Sequence, residues 1–290
     1  MSDQPARGWF FTSDLHGQSS LYEQVLAVTT TLAPDAVIIG GDLCPHHAGV
    51  EGLRLQRVFL QGFLVEFARR LREASPATRL LLLMGNDDWA DNSDCLEAHH
   101  SELWFSLHGR ATEIGGVRVA GLSWVPITPF GMKDWERWDD GLDETPGRLE
   151  GTISRGGELL PHTFDPAARR PTIAAALDEL ATLSPPGQTL LVSHSPARDT
   201  RCDLTAGRNH VGSRALRSYV ERHQPPLVLS GHIHESPRIS GTWRDLIGAT
   251  TVVNPGQFGT PGLCGVWFDP LQPHDTLRHT VHGQVPWPPG

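Results

Sequence analysis

The sequence predicts an α/β fold with parallel strands, and three observations predict it. Short apolar runs alternate with helical periodicities. Residues 80–84 (LLLLM) are apolar at five successive positions and stop at Gly85, the pattern of a strand buried on both faces. A repeated strand–helix–strand order closes through right-handed crossovers into a parallel sheet.

Residues 8–12 (GWFFT) read as the first strand. Leu21, Val25, Val28 and Leu32 recur at i, i+4, i+7 and i+11 and mark a helix face. Residues 36–39 form the second strand; Leu60, Leu64, Phe67 and Leu71 then line a helix that ends before the third, at 80–84. Residues 112–114 and 117–122 flank Gly115-Gly116, a hairpin signal. Residues 126–171, rich in proline, glycine and charge, are expected to form an excursion or cap over the sheet, because long loops in compact domains usually carry function. Ile173, Leu177 and Leu180 give another helix face, followed by a strand at 190–193, a helix across 216–220 and a strand at 227–230. Late strands are expected within 247–253, 265–268 and 277–281. With no internal repeat, low-complexity tract or linker, residues 1–290 read as one domain carrying the excursion at about 126–171.

Bulk properties narrow the function. A chain of 290 residues can bury a full core, and 39% hydrophobic with 20% charged residues is ordinary for a soluble globular protein. Twenty-four basic against 33 acidic residues, a formal charge of −9, argues against a general nucleic-acid or membrane-surface binder. Cys44, Cys95, Cys202 and Cys264 are scattered without a C-x-x-C pair, which suggests free thiols in a reducing cytoplasm. The opening MSDQPARGWFF lacks the apolar centre of a signal peptide, and no run approaches the ~18 apolar residues of a spanning helix. A cytoplasmic location is expected, and no feature specifies an oligomeric state.

The informative residues follow the strands. Ser13-Asp14-Leu15-His16-Gly17 follows the first, Gly40-Gly41-Asp42 the second and Gly85-Asn86-Asp87-Asp88 the third; His194 follows TLLVS, and Gly231-His232-Ile233-His234 follows LVLS. In a parallel α/β sheet the ligand crevice lies at the carboxyl ends of the strands. Five strand ends thus deliver Asp14, His16, Asp42, Asn86, His194, His232 and His234 to one place. Gly17, Gly41, Gly85 and Gly231 are expected to let the backbone turn tightly beside them. Imidazole and oxygen donors without thiolate suit Mn²⁺, Fe or Zn²⁺ better than Mg²⁺ or Ca²⁺.

This order, D-x-H, G-D, G-N-x-D, H and G-H-x-H, resembles the calcineurin-like metallophosphoesterases over roughly residues 10–254, and VVNPGQFG at 252–259 is similar to the segment that follows the last histidines there. The resemblance implies a four-layer αββα sandwich of two mixed sheets with two divalent metal ions at one edge. By position, Asp14, His16 and His234 would hold one metal and Asn86, His194 and His232 the other, with Asp42 bridging. Two such cations clamp a phosphoryl group and acidify a bridging water to hydroxide.

The resemblance breaks at one position. Where the family has G-N-H-D or G-N-H-E, with a histidine that protonates the leaving group, this chain has Asp87. A free aspartate with a pKa near 3.9 is only ~0.1% protonated at pH 7, and nearby cations lower that further. Asp87 is therefore expected to be ionised, accepting a hydrogen bond from a substrate hydroxyl or water, with Asp88 orienting its neighbours. His210 could supply the missing proton or touch the phosphate, on a loop that also carries Arg201 and Arg208. Trp124, Phe130, Lys133, Trp135 and Arg137 could wall a substrate pocket, with Trp124, Arg201 and Asn86 contacting substrate. His46–His47 and His99–His100 are assigned to solvated surface. The expected activity is metal-dependent hydrolysis of a small-molecule phosphodiester. Phosphomonoester or phosphoprotein hydrolysis is the alternative within enzymes, and a metal-poor scaffold the alternative outside them. A nuclease is disfavoured by the acidic balance.

Overall fold

The computed structural model describes residues 8–47, 49–140, 147–257 and 262–282. Residues 1–7, the end of VVNPGQFG at Phe258-Gly259, and 141–146 of the excursion lie outside them. The first half runs β1 (Trp9–Thr12), α1 (Ser19–Leu32), β2 (Ala36–Gly40), α2 (Gly49–Phe59), a π-type turn (Leu60–Leu64), α3 (Val65–Ala74), β3 (Arg79–Leu83), α4 (Ser93–Glu97) and β4 (Phe105–Ser106). Next come β5 (Arg110–Ile114), β6 (Val117–Leu122), β7 (Val125–Pro126), β8 (Glu136–Arg137), β9 (Glu150–Arg155) and β10 (Glu158–Thr163). The remainder is α5 (Ile173–Leu183), β11 (Thr189–Ser193), α6 (Arg214–His223), β12 (Leu227–Leu229), α7 (Ser236–Ser240), β13 (Arg244–Ile247), β14 (Thr250–Val253), β15 (Gly265–Phe268), α8 (Pro273–Thr276) and β16 (Arg278–His279).

Two six-stranded sheets result, in the orders β16-β15-β1-β2-β3-β4 and β13-β14-β12-β11-β6-β5. Strands β1 to β4 are parallel, as are β6, β11, β12 and β14; antiparallel strands close the outer positions. Both sheets are therefore mixed. Side chains alternate between the faces of a strand, and this assigns the layers. Phe11, Ile38, Leu81 and Leu83 from one sheet pack with Val119, Leu190, Val192, Leu229 and Val253 from the other. Opposite them, Phe10, Val37, Ile39 and Leu82 meet Tyr22, Val25, Leu64, Phe67 and Leu71 of the first helices. Leu122, Leu191, Val228 and Val252 meet Leu177, Leu180, Leu216 and Val220 of α5 and α6. The order helices, sheet, sheet, helices is the expected αββα sandwich. Each of these side chains contributes roughly 1.5–3 kcal/mol by leaving water.

Two expectations need correction. The helix marked by Leu60 to Leu71 begins at Gly49, because its first turns bury Gly52, Leu53 and Gln56 rather than an apolar stripe. Residues 247–253 are not one strand: Gly248, at φ 61°, turns β13 back onto β14. Within the excursion, β9 and β10 pair as an antiparallel hairpin about Gly156-Gly157. Leu159 of that hairpin packs with Leu53, Trp89 and Met132, while Asp134 accepts from the backbone N–H groups of Ala90 and Ser154. The hairpin is thereby fixed to the loop that leaves β3.

Candidate metal centre

The loops leaving β1 and β2 are joined by backbone hydrogen bonds from Asp14 N to Gly41 O (3.0 Å), His16 N to Asp42 O (2.9 Å) and Gly17 N to Leu43 O (2.9 Å). Asp14, His16, Asp42 and His232 all have positive φ, at 60°, 44°, 51° and 68°. Non-glycine residues in this region are uncommon, and such strain gathers at functional sites where surrounding bonds hold it. His232 is held by Asp14, whose Oδ1 accepts its backbone N–H at 3.0 Å.

Asp14, His16, Asp42 and His234 place one donor atom each within 4.8 Å of one another. His16 Nε2 lies 3.2 Å from His234 Nε2 and 3.6 Å from Asp42 Oδ2, and His234 Nε2 lies 3.2 Å from Asp14 Oδ1. Donors held about 2.0–2.2 Å from a common cation stand about 3.0–3.5 Å apart, so the spacing is that of a coordination shell. The other Asp42 oxygen faces a second group: Oδ1 is 3.5 Å from His194 Nε2, which is 3.1 Å from Asn86 Oδ1. The His232 ring lies tilted beside it, with ring centroids 5.3 Å apart and planes at 57°. His194 Nδ1 donates to Gly40 O at 2.9 Å, which turns Nε2 toward Asp42 and Asn86. Asp14, His16, Asp42 and His234 fit a cation, His194, Asn86 and His232 gather on the other side of Asp42, and the donors are imidazole and oxygen alone.

The glycines do two different jobs. Gly41 needs its φ of 121°. Gly85 keeps an ordinary φ, but a Cβ there would stand 2.2 Å from Asp42 Oδ1 and 2.5 Å from His194 Nε2. Gly231 likewise makes room beside Asp14 rather than a turn. Asn254, fully buried, donates to the carbonyls of Cys202, Gly231 and Ile233 and so holds the Gly231–His234 loop from behind.

Burial disfavours charge on every group here, and the neighbours decide the outcome. It opposes charge on His194, but the Asp42 carboxylate prevails and pushes that imidazole up to about 9. His234 also reaches about 9, against burial, through Asp14. Burial and the charge on His194 push His232 down to about 3. Asp42 falls well below the carboxylate range, because His194 and His16 outweigh its burial. Asp88 is pushed up to about 6 by burial and by Asp42, although Gly85, Leu43 and Cys44 all donate backbone N–H groups to it. Asp88 therefore ties two loops together and does not face the centre.

Burial and Asp42 push the Asp87 carboxyl above the usual range, while His16 and His46 pull the other way. Its Oδ2 accepts from His46 Nδ1 at 2.8 Å, so His46, though exposed, is not idle surface. His99 and His100 are half-buried instead of solvated, against Trp104 and Phe105.

Two cavities open beside the centre. The larger, about 550 Å³, is lined by Asp42, His46, Asn86, Asp87, Leu159 and His234 among others. The smaller, about 390 Å³, is lined by Arg198, Arg214, His210 and Asp139. Phe130, Thr205, His232 and Ile233 line both. His210 thus reaches a cavity wall, with Nδ1 held 2.7 Å from Asp203 Oδ1. Trp124 and Arg201 line neither: Trp124 packs on His108 and under Arg137, and Arg201 binds Asp245 through its backbone. Lys133 is fully buried, 2.7 Å from Glu136, and Trp135 donates to Asp88 O, so neither walls a pocket. Arg198, Arg214 and Gln56 carry no sequence signal and His46 reads as solvated surface; only the fold carries them to the site.

The profile of the calcineurin-like phosphoesterases matches residues 10–236. No curated protein matches the chain. Among solved structures, the protein TT1561 of Thermus thermophilus aligns with TM-score 0.57 at 19% identity, covering 94% of this chain and 98% of that one. A dimetal phosphatase from Danio rerio aligns with TM-score 0.52 at 13% identity, covering 91% and 93%. At these identities the likeness is one of fold.

Proposed function

The chain belongs to the calcineurin-like phosphoesterases, a family of phosphoric ester hydrolases, and we propose that it hydrolyses a small-molecule phosphodiester with two divalent cations, Mn²⁺, Fe or Zn²⁺. The ligands would be Asp14, His16 and His234 on one side, Asn86, His194 and His232 on the other, and Asp42 between. The chemistry that two such cations supply is polarisation of the phosphoryl oxygens and acidification of water.

One observation carries the diester reading: two cavities meet at the same edge, sharing Phe130, Thr205, His232 and Ile233. A phosphodiester has two substituents to place, a monoester only one. Arg198 and Arg214 fit the smaller cavity to an anionic arm, while Leu159, Met132 and Trp89 fit the larger to an apolar one. Asp87, on the wall of the larger cavity, repels a dianionic monoester more than a monoanionic diester. The four buried cysteines suit a reducing cytoplasm, and no helix among the described residues is long and apolar enough to cross a membrane.

The test is kcat/KM of metal-loaded protein on bis(4-nitrophenyl) phosphate and on 4-nitrophenyl phosphate. A preference of about tenfold or more for the diester is expected. Preference for the monoester overturns the diester reading, and no hydrolysis of either overturns the hydrolytic one.

A further inference from the structure

The chain lacks the family's histidine at position 87, yet an imidazole stands beside that position. His46, on the loop leaving β2, brings Nδ1 to 2.8 Å from Asp87 Oδ2. It lines the larger cavity with Asp42, Asn86, Asp87, His232 and His234. The backbone of Asp87 is held on both sides: its N donates to Asp42 Oδ1 at 2.8 Å, and its carbonyl O accepts from Gln56 Nε2 at 2.6 Å. The His46 side chain is 67% exposed against 17% for Asp87, so the imidazole stands toward open space from a mostly buried carboxylate.

A carboxylate on Nδ1 fixes the ring's orientation and leaves Nε2 to exchange a proton with a substrate. Nε2 of His46 has no partner among the described residues. We propose that His46 is a catalytic residue that protonates the leaving group, with Asp87 as its positioning residue; the inference rests on the phosphoesterase reading above. In effect the acid has changed places, with the imidazole moved to the loop after β2 and the carboxylate to the end of β3. As the ester P–O bond breaks, its electron pair goes to the departing oxygen, which takes the proton from Nε2 and leaves as an alcohol. Water oxygen forms the new bond to phosphorus, and the proton that this water sheds restores the imidazolium.

A series of aryl methyl phosphates, from methyl 4-nitrophenyl to methyl phenyl phosphate, tests this with metal-loaded parent, His46→Ala and Asp87→Asn. A positioned acid contributes typically 10²–10⁴-fold, and nitrophenolate needs it least. His46→Ala is expected to lose about 10²-fold on the phenyl ester but no more than about fivefold on the nitrophenyl ester, with both metals retained. Asp87→Asn should show the same bias more weakly, and added imidazole should restore part of the His46→Ala loss on the phenyl ester. Equal losses on both esters with metals retained overturn the role of His46 and leave the phosphoesterase reading standing. A metal-loaded parent that hydrolyses no member of the series overturns both.

Discussion

Asp88 Oδ1 accepts the backbone N–H of Cys44 at 2.8 Å, while Oδ2 accepts those of Leu43 and Gly85 at 3.0 and 2.8 Å. One carboxylate thus sets the distance between the loops that carry Asp42 and Asn86. Asp88→Ala leaves three buried donors unpaired, each costing about 1–3 kcal/mol. Thermal unfolding should show a loss of about 3 kcal/mol or more, and elemental analysis a weakened hold on metal.

Gly85→Ala separates space from backbone conformation. The φ at this position suits alanine, so the fold should survive, but the added methyl stands in the place of Asp42 Oδ1 and His194 Nε2. Turnover is expected to fall by about 10²-fold or more through displaced ligands, with a fall in melting temperature of only a few degrees. Full activity in this variant would contradict the placement of Asp42 and His194.

These two residues mark what the sequence made legible. The centre could be read because each donor directly follows a buried strand, and a parallel sheet gathers such ends at one edge. The strands could be read for the same reason, as short apolar runs. What stayed hidden depends on partners distant in sequence. His46 and Asp87 are 41 residues apart, and a two-histidine surface stretch gives no sign of that pairing. Gly52 and Gln56 are buried because they pack on loops, so α2 lacks the apolar periodicity that announces a helix. Gly156-Gly157 was a visible turn signal for the β9–β10 hairpin, obscured by the charge around it.

Acid should destabilise the protein in part through His108. Burial, then Arg137 and Arg110, push this imidazole down to about 4, and its Nδ1 accepts from Ser123 N at 3.0 Å, a bond only the unprotonated nitrogen can accept. Above about pH 6.5 both folded and unfolded states hold it neutral. Between about 6.5 and 4 the unfolded chain binds the proton and the folded one does not, so stability falls as pH falls and levels off below 4. Melting curves across this range should show that slope, and His108→Gln should flatten it.

Leu159, from the hairpin, lines the larger cavity. Leu159→Ala should raise KM for a diester with a bulky apolar arm by about fivefold, on the scale of ~1 kcal/mol of lost apolar contact. Turnover at saturation and metal content should stay near parental values. Steady-state kinetics on a bulky and a small diester give the comparison, and equal changes on both would remove the hairpin from substrate selection.

Asp42 turns one oxygen toward His16 and the other toward His194, and under the proposed function it joins two metal sites. Metal stoichiometry of purified parent and Asp42→Asn tests it most directly. The account predicts about two divalent ions per parent chain and fewer than one per variant chain, with hydrolysis abolished. A variant that keeps two tightly bound ions and turns over normally would contradict it.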